Sequence, residues 1–223
     1  MEGVELAQAS IIFGGLALVA LTSADGRWPR LFWIAKPATT LSLLLVTSFP
    51  WHDRFGVFIM GALVLSALGD GALLSEGKGF FLSGLLLFLL AHGFIIAAFV
   101  AGGGRGILLS SALSGVAVFS FATVWLLRKL YPSIEPALRF PVLIYAATIT
   151  VMVCAAYVVL EGPWPTYITL PITAGAVAFY LSDALLAWGM FRRGIRNQQS
   201  LNLSLYWTGQ FGLAVAARFV GGG

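Results

Sequence analysis

The stretch Leu65-Ser66-Ala67-Leu68-Gly69-Asp70-Gly71-Ala72-Leu73-Leu74 sets one carboxylate in an almost wholly apolar run. A second carboxylate stands in the same kind of setting at Phe179-Tyr180-Leu181-Ser182-Asp183-Ala184-Leu185-Leu186-Ala187. Runs this apolar are helices when lipid surrounds them, because a membrane barrel strand alternates polar and apolar positions. The sequence is therefore read as an all-α, polytopic integral membrane protein that keeps two aspartates where charge costs most.

The bulk numbers agree. Of 223 residues, 59% are hydrophobic and 10% charged, against about 25% charged in a soluble domain. The length accommodates roughly eight spans of about 20 residues with short loops. The expectation is one transmembrane domain over 1–223, an eight-transmembrane-helix bundle with spans near 7–22, 31–48, 55–74, 80–100, 106–127, 140–160, 166–188 and 201–219. The first run follows Glu2 and Glu5. A secretory leader would begin with basic residues, so this run reads as a retained span. Cys154 is the single cysteine and reads as a small buried residue.

The basic residues vote on sidedness. Arg27, Arg30, Lys36, Lys78, Arg128, Lys129, Arg139, Arg192, Arg193 and Arg196 lie near the odd-numbered connections. Only Arg54, Arg105 and Arg218 lie elsewhere. This places the odd connections in the cytoplasm and both termini outside, with the cytoplasmic membrane as the expected location. Asp70 and Asp183 then sit roughly 6–8 Å below one cytoplasmic edge, at about 1.5 Å per residue. Lys36, Tyr145, Tyr206 and Gln210 fall on the same side. The two aspartate segments, together with Lys36-Pro37 and Phe140-Pro141 at the expected starts of spans 2 and 6, suggest two four-helix repeats.

Two carboxylates in a partly dry pocket disfavour joint ionisation, so one keeps a proton while the other carries charge. Such a pair supplies a general acid and a general base and suits hydrolysis of an acid-labile ether or acetal. The competing reading is structural, with each aspartate paired to Lys36, a tyrosine or backbone. No G-x-S-x-G elbow is present, and Ser66 and Ser182 read as helix-contact or hydrogen-bonding residues. His92 is expected about two turns deeper than the aspartates, as a pocket floor or a cross-helix contact; His52 reads as a loop residue. A zinc site lacks its spacing. Gly102-Gly103-Gly104 reads as a turn rather than a phosphate loop.

Lys36 before Pro37 reads as a helix start where a cation joins free backbone N–H groups in binding an anion. Arg192 and Arg193 read as ordinary cytoplasmic anchors. Trp28, Trp33, Trp51, Trp125, Trp164 and Trp207 read as an interfacial belt. The scattered basic residues exclude a nucleic-acid surface.

Taken in order, Lys36-Pro37 with Ala38-Thr39-Thr40, Leu68-Gly69-Asp70, Phe81-Leu82-Ser83-Gly84, Ala91-His92, Tyr145, Met152, Gly175, Phe179, Ser182-Asp183, Tyr206 and Gln210 resemble the YhhN family, the membrane lysoplasmalogenases. The chain departs from that pattern at Gly93-Phe94, where a bulkier pair is expected. The resemblance implies hydrolysis of the vinyl ether bond of lysoplasmalogens to a fatty aldehyde and glycerophosphocholine or glycerophosphoethanolamine. It implies Asp70 and Asp183 as the catalytic pair, without a cofactor or metal. Lys36, His92, Tyr145, Ser182, Tyr206 and Gln210 are the candidate substrate-binding residues; a lysophospholipid, water and membrane lipids are the partners. Glycines on both sides of Asp70 would let a lipid approach closely. The alternative is a small transporter or lipid flippase using the same aspartates, which predicts routes to both membrane faces rather than a pocket open to one.

Overall fold

The computed structural model describes residues 2–24, 28–47, 53–103, 109–160, 162 and 164–221. The expected loop residues Arg27, Trp51, His52 and Arg105 lie outside them. Among the described residues there are eight α-helices: α1 (Glu2–Ser23), α2 (Pro29–Ser42), α3 (Arg54–Ala72), α4 (Lys78–Gly103), α5 (Leu109–Leu130), α6 (Pro136–Val159), α7 (Thr166–Phe191) and α8 (Gln198–Gly221). Short 3-10 turns follow α2 at Leu43–Leu45 and α5 at Tyr131–Ser133. Five helices (α1, α3, α4, α6 and α7) are long and apolar enough to cross a bilayer by themselves. The chain is an all-α, apolar multi-helix integral membrane protein. At 14 residues, α2 is too short for that test.

Several boundaries differ from the sequence expectation. Pro29 and Pro136 take the first turns of α2 and α6, so Pro37 and Pro141 fall inside those helices rather than opening them. A proline fits the first turn because its missing N–H would have no partner there. Pro37 instead frees a carbonyl one turn back, and Lys36 is not at a helix N-terminus with free amides. Gly102 and Gly103 continue α4 rather than turning. A Cβ on Gly102 would overlap the Trp164 ring, so the glycine makes room for that indole.

One apolar cluster runs from Ala9 on α1 to Ala217 on α8 and includes Leu63, Ile95, Met152, Ile172 and Leu213. Cys154 is half-buried against it and free. The most extensive packing joins α7 to α8 and α3 to α4; α4 with α6 and α3 with α8 tie these pairs together. Among the described residues α4 and α5 make no substantial contact.

Both tight pairs are built on absent side chains. On α7 and α8, a Cβ at Gly175 would stand 2.8 Å from the Gly209 carbonyl, one at Gly209 2.7 Å from the Gly175 carbonyl, and one at Gly212 2.6 Å from the Pro171 carbonyl. The two backbones therefore touch, as small residues allow between membrane helices. On α3 and α4, Gly61 receives the Phe94 ring, Gly69 the Phe88 ring and Gly84 the Leu73 side chain. Gly69 therefore admits Phe88 rather than a lipid, whereas Gly71 faces open space. Gly93 also faces open space, and Phe94 lies edge-on to Phe58 at 5.9 Å, so the departing pair belongs to this seam and the outer surface.

Because backbone on both sides of the α7–α8 seam cannot yield, Gly175→Val should lower stability by about 1–3 kcal/mol, the usual cost of overpacking. Gly93→Ala, with open space around it, should be neutral or raise the melting temperature slightly. Thermal unfolding of the purified protein in detergent compares the two.

Candidate functional site

Asp70 lies in the last turn of α3 and is 1% exposed. Its Oδ1 lies 3.1 Å from Lys36 Nζ. Its Oδ2 accepts from Thr40 Oγ1 at 2.7 Å and from the Tyr206 hydroxyl at 2.9 Å. Trp207 Nε1 donates to Thr40 Oγ1 at 3.2 Å and fixes that hydroxyl in turn. Lys36 and Thr40 are four apart on α2, so one face of that helix presents both groups to the carboxylate. An ammonium and two hydroxyls thus converge on its two oxygens.

Asp183 has a different setting. The Tyr145 hydroxyl donates to its Oδ2 at 2.5 Å. His92 Nε2 stands 3.6 Å from the same oxygen, beyond hydrogen-bond length. His92 Nδ1 lies 2.6 Å from the Phe88 carbonyl. A carbonyl only accepts, so Nδ1 carries the hydrogen and Nε2 of the neutral ring is an acceptor. Among the described residues that Nε2 is the buried side-chain polar atom without a hydrogen-bond partner. The imidazole is clamped edge-to-face by Tyr145 at 5.4 Å and Phe179 at 4.7 Å. His92 is thus level with Asp183 rather than two turns below it. Helix α7 runs to Phe191 rather than 188, which carries Asp183 deeper than the expected span end placed it.

Helix α8 stitches the two settings together. Gln198 donates to the Leu185 carbonyl at 2.7 Å, Asn202 to the Ser182 carbonyl and hydroxyl at 2.7 and 3.1 Å, Tyr206 to Asp70, and Gln210 to Ser66 Oγ at 2.9 Å. These four polar residues recur every fourth position and form one stripe along the helix. Sequence reading took Tyr206 and Gln210 from this stripe but missed Asn202 and Gln198; the spacing alone would have found them. Trp207, expected in the interfacial belt, is 2% exposed, while Trp28, Trp33 and Trp125 do face outward.

Two cavities meet at Asp183. A polar one of about 330 Å³ lies between α2, α3, α7 and α8, and both aspartates, Lys36, Ser182, Asn202 and Tyr206 line it. An apolar one of about 80 Å³ lies between α4, α5, α6 and α7, with Tyr145 and Asp183 in its wall. Leu73, Phe88, Asp183, Leu186 and Met190 border both. Gln210 borders neither and sits behind Tyr206, bonded to Ser66. Arg192 donates to the Lys129 carbonyl at the end of α5, and neither it nor Arg193 lines these cavities. Among the described residues no three His, Cys, Asp or Glu side chains are placed to share a metal ion.

The ion pair makes a stability prediction. Lys36→Met removes the cation beside a buried carboxyl group, so it should cost about 3–5 kcal/mol. Lys36→Met with Asp70→Leu removes both charges and should recover most of that loss. Unfolding midpoints of the single and double variants in detergent read the difference.

Known proteins place this geometry in a lineage. The chain is 30% identical over 162 residues to "Lysoplasmalogenase TMEM86A" of Homo sapiens, covering 71% of this chain and 64% of that protein. It is 31% identical over 161 residues to the Bos taurus protein of the same name, with the same coverage. It is 26% identical over 191 residues to "Lysoplasmalogenase TMEM86B" of Rattus norvegicus, covering 83% of this chain and 73% of that protein. The chain thus spans 64% of the length of the two TMEM86A relatives. No solved structure matches it. The YhhN family model matches residues 31–217, and the chain belongs to the YhhN family.

Proposed function

We propose that this protein is a hydrolase that cleaves the vinyl ether bond of lysoplasmalogens, with Asp183 as the proton donor and Asp70 as the permanent carboxylate. The observation that carries the reading is the opposite setting of the two aspartates on one cavity. Asp70 is saturated by an ammonium and two hydroxyls. Asp183 receives one phenol and faces a lone pair on His92 Nε2. No cation lies within hydrogen-bond length of Asp183 among the described residues, in contrast to Lys36 beside Asp70. The names of the relatives support the substrate class.

Chemically, protonated Asp183 gives its hydrogen to the alkenyl carbon remote from oxygen. The C=C electron pair forms the new C–H bond and leaves an oxocarbenium ion. Water adds to the cationic carbon and gives a proton to the Asp183 carboxylate, which restores the acid. The hemiacetal then breaks its bond to the glycerol oxygen, releasing a fatty aldehyde and the glycerophospho-alcohol. Overall one water is consumed and no net proton. Asp70 offsets the developing cation with fixed negative charge. Lys36 uses one of its three donors on Asp70 and keeps others for a headgroup phosphate. Tyr145 and His92 hold the Asp183 carboxyl in place, and Ser182, Asn202 and Tyr206 shape the polar wall.

All eight helices cross the membrane in this reading, as one transmembrane domain made of two four-helix repeats. The cavity opens at the end that carries the odd connections, and the basic residues there put that end in the cytoplasm.

Purified protein in detergent should release aldehyde from a lysoplasmalogen. Asp183→Asn should lower kcat about 100-fold or more, the scale of a lost general acid. Asp70→Asn should also abolish most turnover, and Tyr145→Phe should cost about tenfold, the worth of one hydrogen bond to the acid. No aldehyde from folded, monodisperse protein would sink the hydrolase reading and direct attention to lipid movement across vesicles.

A further inference from the structure

We propose that the apolar cavity between α4, α5, α6 and α7 is a binding site for the single hydrocarbon chain of the lipid, closed at its deep end by a cluster of three hydroxyls. The inference rests on the hydrolase reading for the identity of the headgroup and the placing of the scissile bond at Asp183. Its own test reads binding alone.

The lining is apolar apart from Asp183 and three hydroxyl-bearing residues. Leu85, Leu126, Leu127, Ala146, Ile149 and Ala187 represent it. A headgroup has no partners in this space, whereas the adjoining cavity offers Lys36, Asn202 and Gln199. An amphiphile that bridges the shared border of Leu73, Phe88, Leu186 and Met190 places its polar part on one side and its chain on the other. Asp183 belongs to both walls, so the bond between headgroup and chain falls at its carboxyl.

The deep end is closed by side chains that the chemistry does not use. The Tyr180 hydroxyl lies 2.9 Å from Thr123 Oγ1, and Thr123 Oγ1 lies 2.7 Å from Thr150 Oγ1. Tyr180 and Thr123 are 6% and 8% exposed, and the Tyr180 ring packs edge-on to Phe119 at 5.1 Å. These hydroxyls satisfy one another, so they form a neutral floor rather than a second polar site. With the floor shut, a long chain leaves sideways between α4 and α5, which among the described residues make no substantial contact. The opening also supplies a route by which a lipid enters from the bilayer. The small side chains of Ala146 and Ala187 set the width of the slot.

A lysophosphatidylcholine with a diazirine at mid-chain is the probe. It is photolysed with the purified full chain in detergent, and the labelled residues are located by mass spectrometry. Label should fall on the slot residues Leu126, Leu127 and Ile149. Ala146→Phe and, independently, Ala187→Phe should reduce that label at least fivefold while leaving label on the outward-facing Val118 and Phe121, which are 61% and 74% exposed. Label confined to Val118 and Phe121, or slot label that neither substitution diminishes in folded protein, would overturn the chain site. Slot label in a protein that releases no aldehyde would retire the hydrolase reading and leave the chain site standing.

Discussion

A buried carboxyl group on α3 is the constraint around which this bundle is organised. Asp70 is 1% exposed, and an isolated buried charge costs far more than any single contact supplies. Its neutralisation draws on three helices at once, with Lys36 and Thr40 from α2 and Tyr206 from α8 all meeting α3. Helix α2, too short to qualify as a span by itself, is held by this ion pair. The polar cavity exists because these helices converge on one charge from different directions.

Between membrane helices, lipid removes the hydrophobic incentive to associate, so close packing and polar contacts must do that work. The glycines of the α7–α8 seam let the backbones touch, and that approach is what brings Asn202 to Ser182. On α3 and α4 the same device seats Phe88 against Gly69. Phe88 then offers its carbonyl to His92 and its ring edge to Tyr206 at 5.9 Å. Packing and site chemistry are therefore served by the same residues.

Much of this was legible because helical spacing is visible in a sequence. Lys36 with Thr40, Ser66 with Asp70, Phe88 with His92, Phe179 with Asp183, and Gln198 through Gln210 each fall four apart, so each set marks one helix face. Asp70 lies with Lys36 and Tyr206, and Asp183 with Tyr145 and His92, in two neighbouring clusters. What spacing could not convey was relative depth between helices. Placing His92 against Asp183 requires knowing where α4 sits against α7, and that is decided by tertiary packing rather than by local pattern. Likewise Pro37 reads as a helix opener only when Pro29, eight residues earlier, is overlooked. Trp207 resembles a belt residue until Thr40 supplies the acceptor that draws its indole inward.

The two aspartate settings also mirror each other helix by helix. Asp70 on α3 receives Lys36 from α2 and Tyr206 from α8; Asp183 on α7 receives Tyr145 from α6 and faces His92 from α4. Advancing each helix by four positions carries one constellation onto the other. Twenty-two residues separate Asp70 from His92 and twenty-three separate Asp183 from Tyr206. Phe179 lies against both His92 at 4.7 Å and Tyr206 at 5.4 Å, at the join. The helices correspond in order while the partners they bring differ, Lys36 and Tyr206 at one carboxyl and Tyr145 and His92 at the other. Asp70 has a cation beside it, Lys36 at 3.1 Å. Asp183 has the Tyr145 phenol and, at 3.6 Å, the His92 imidazole. In the proposed acid–base pair both groups are aspartates, so a difference in role has to come from the neighbours, and the lysine beside one carboxyl against the phenol beside the other is such a difference.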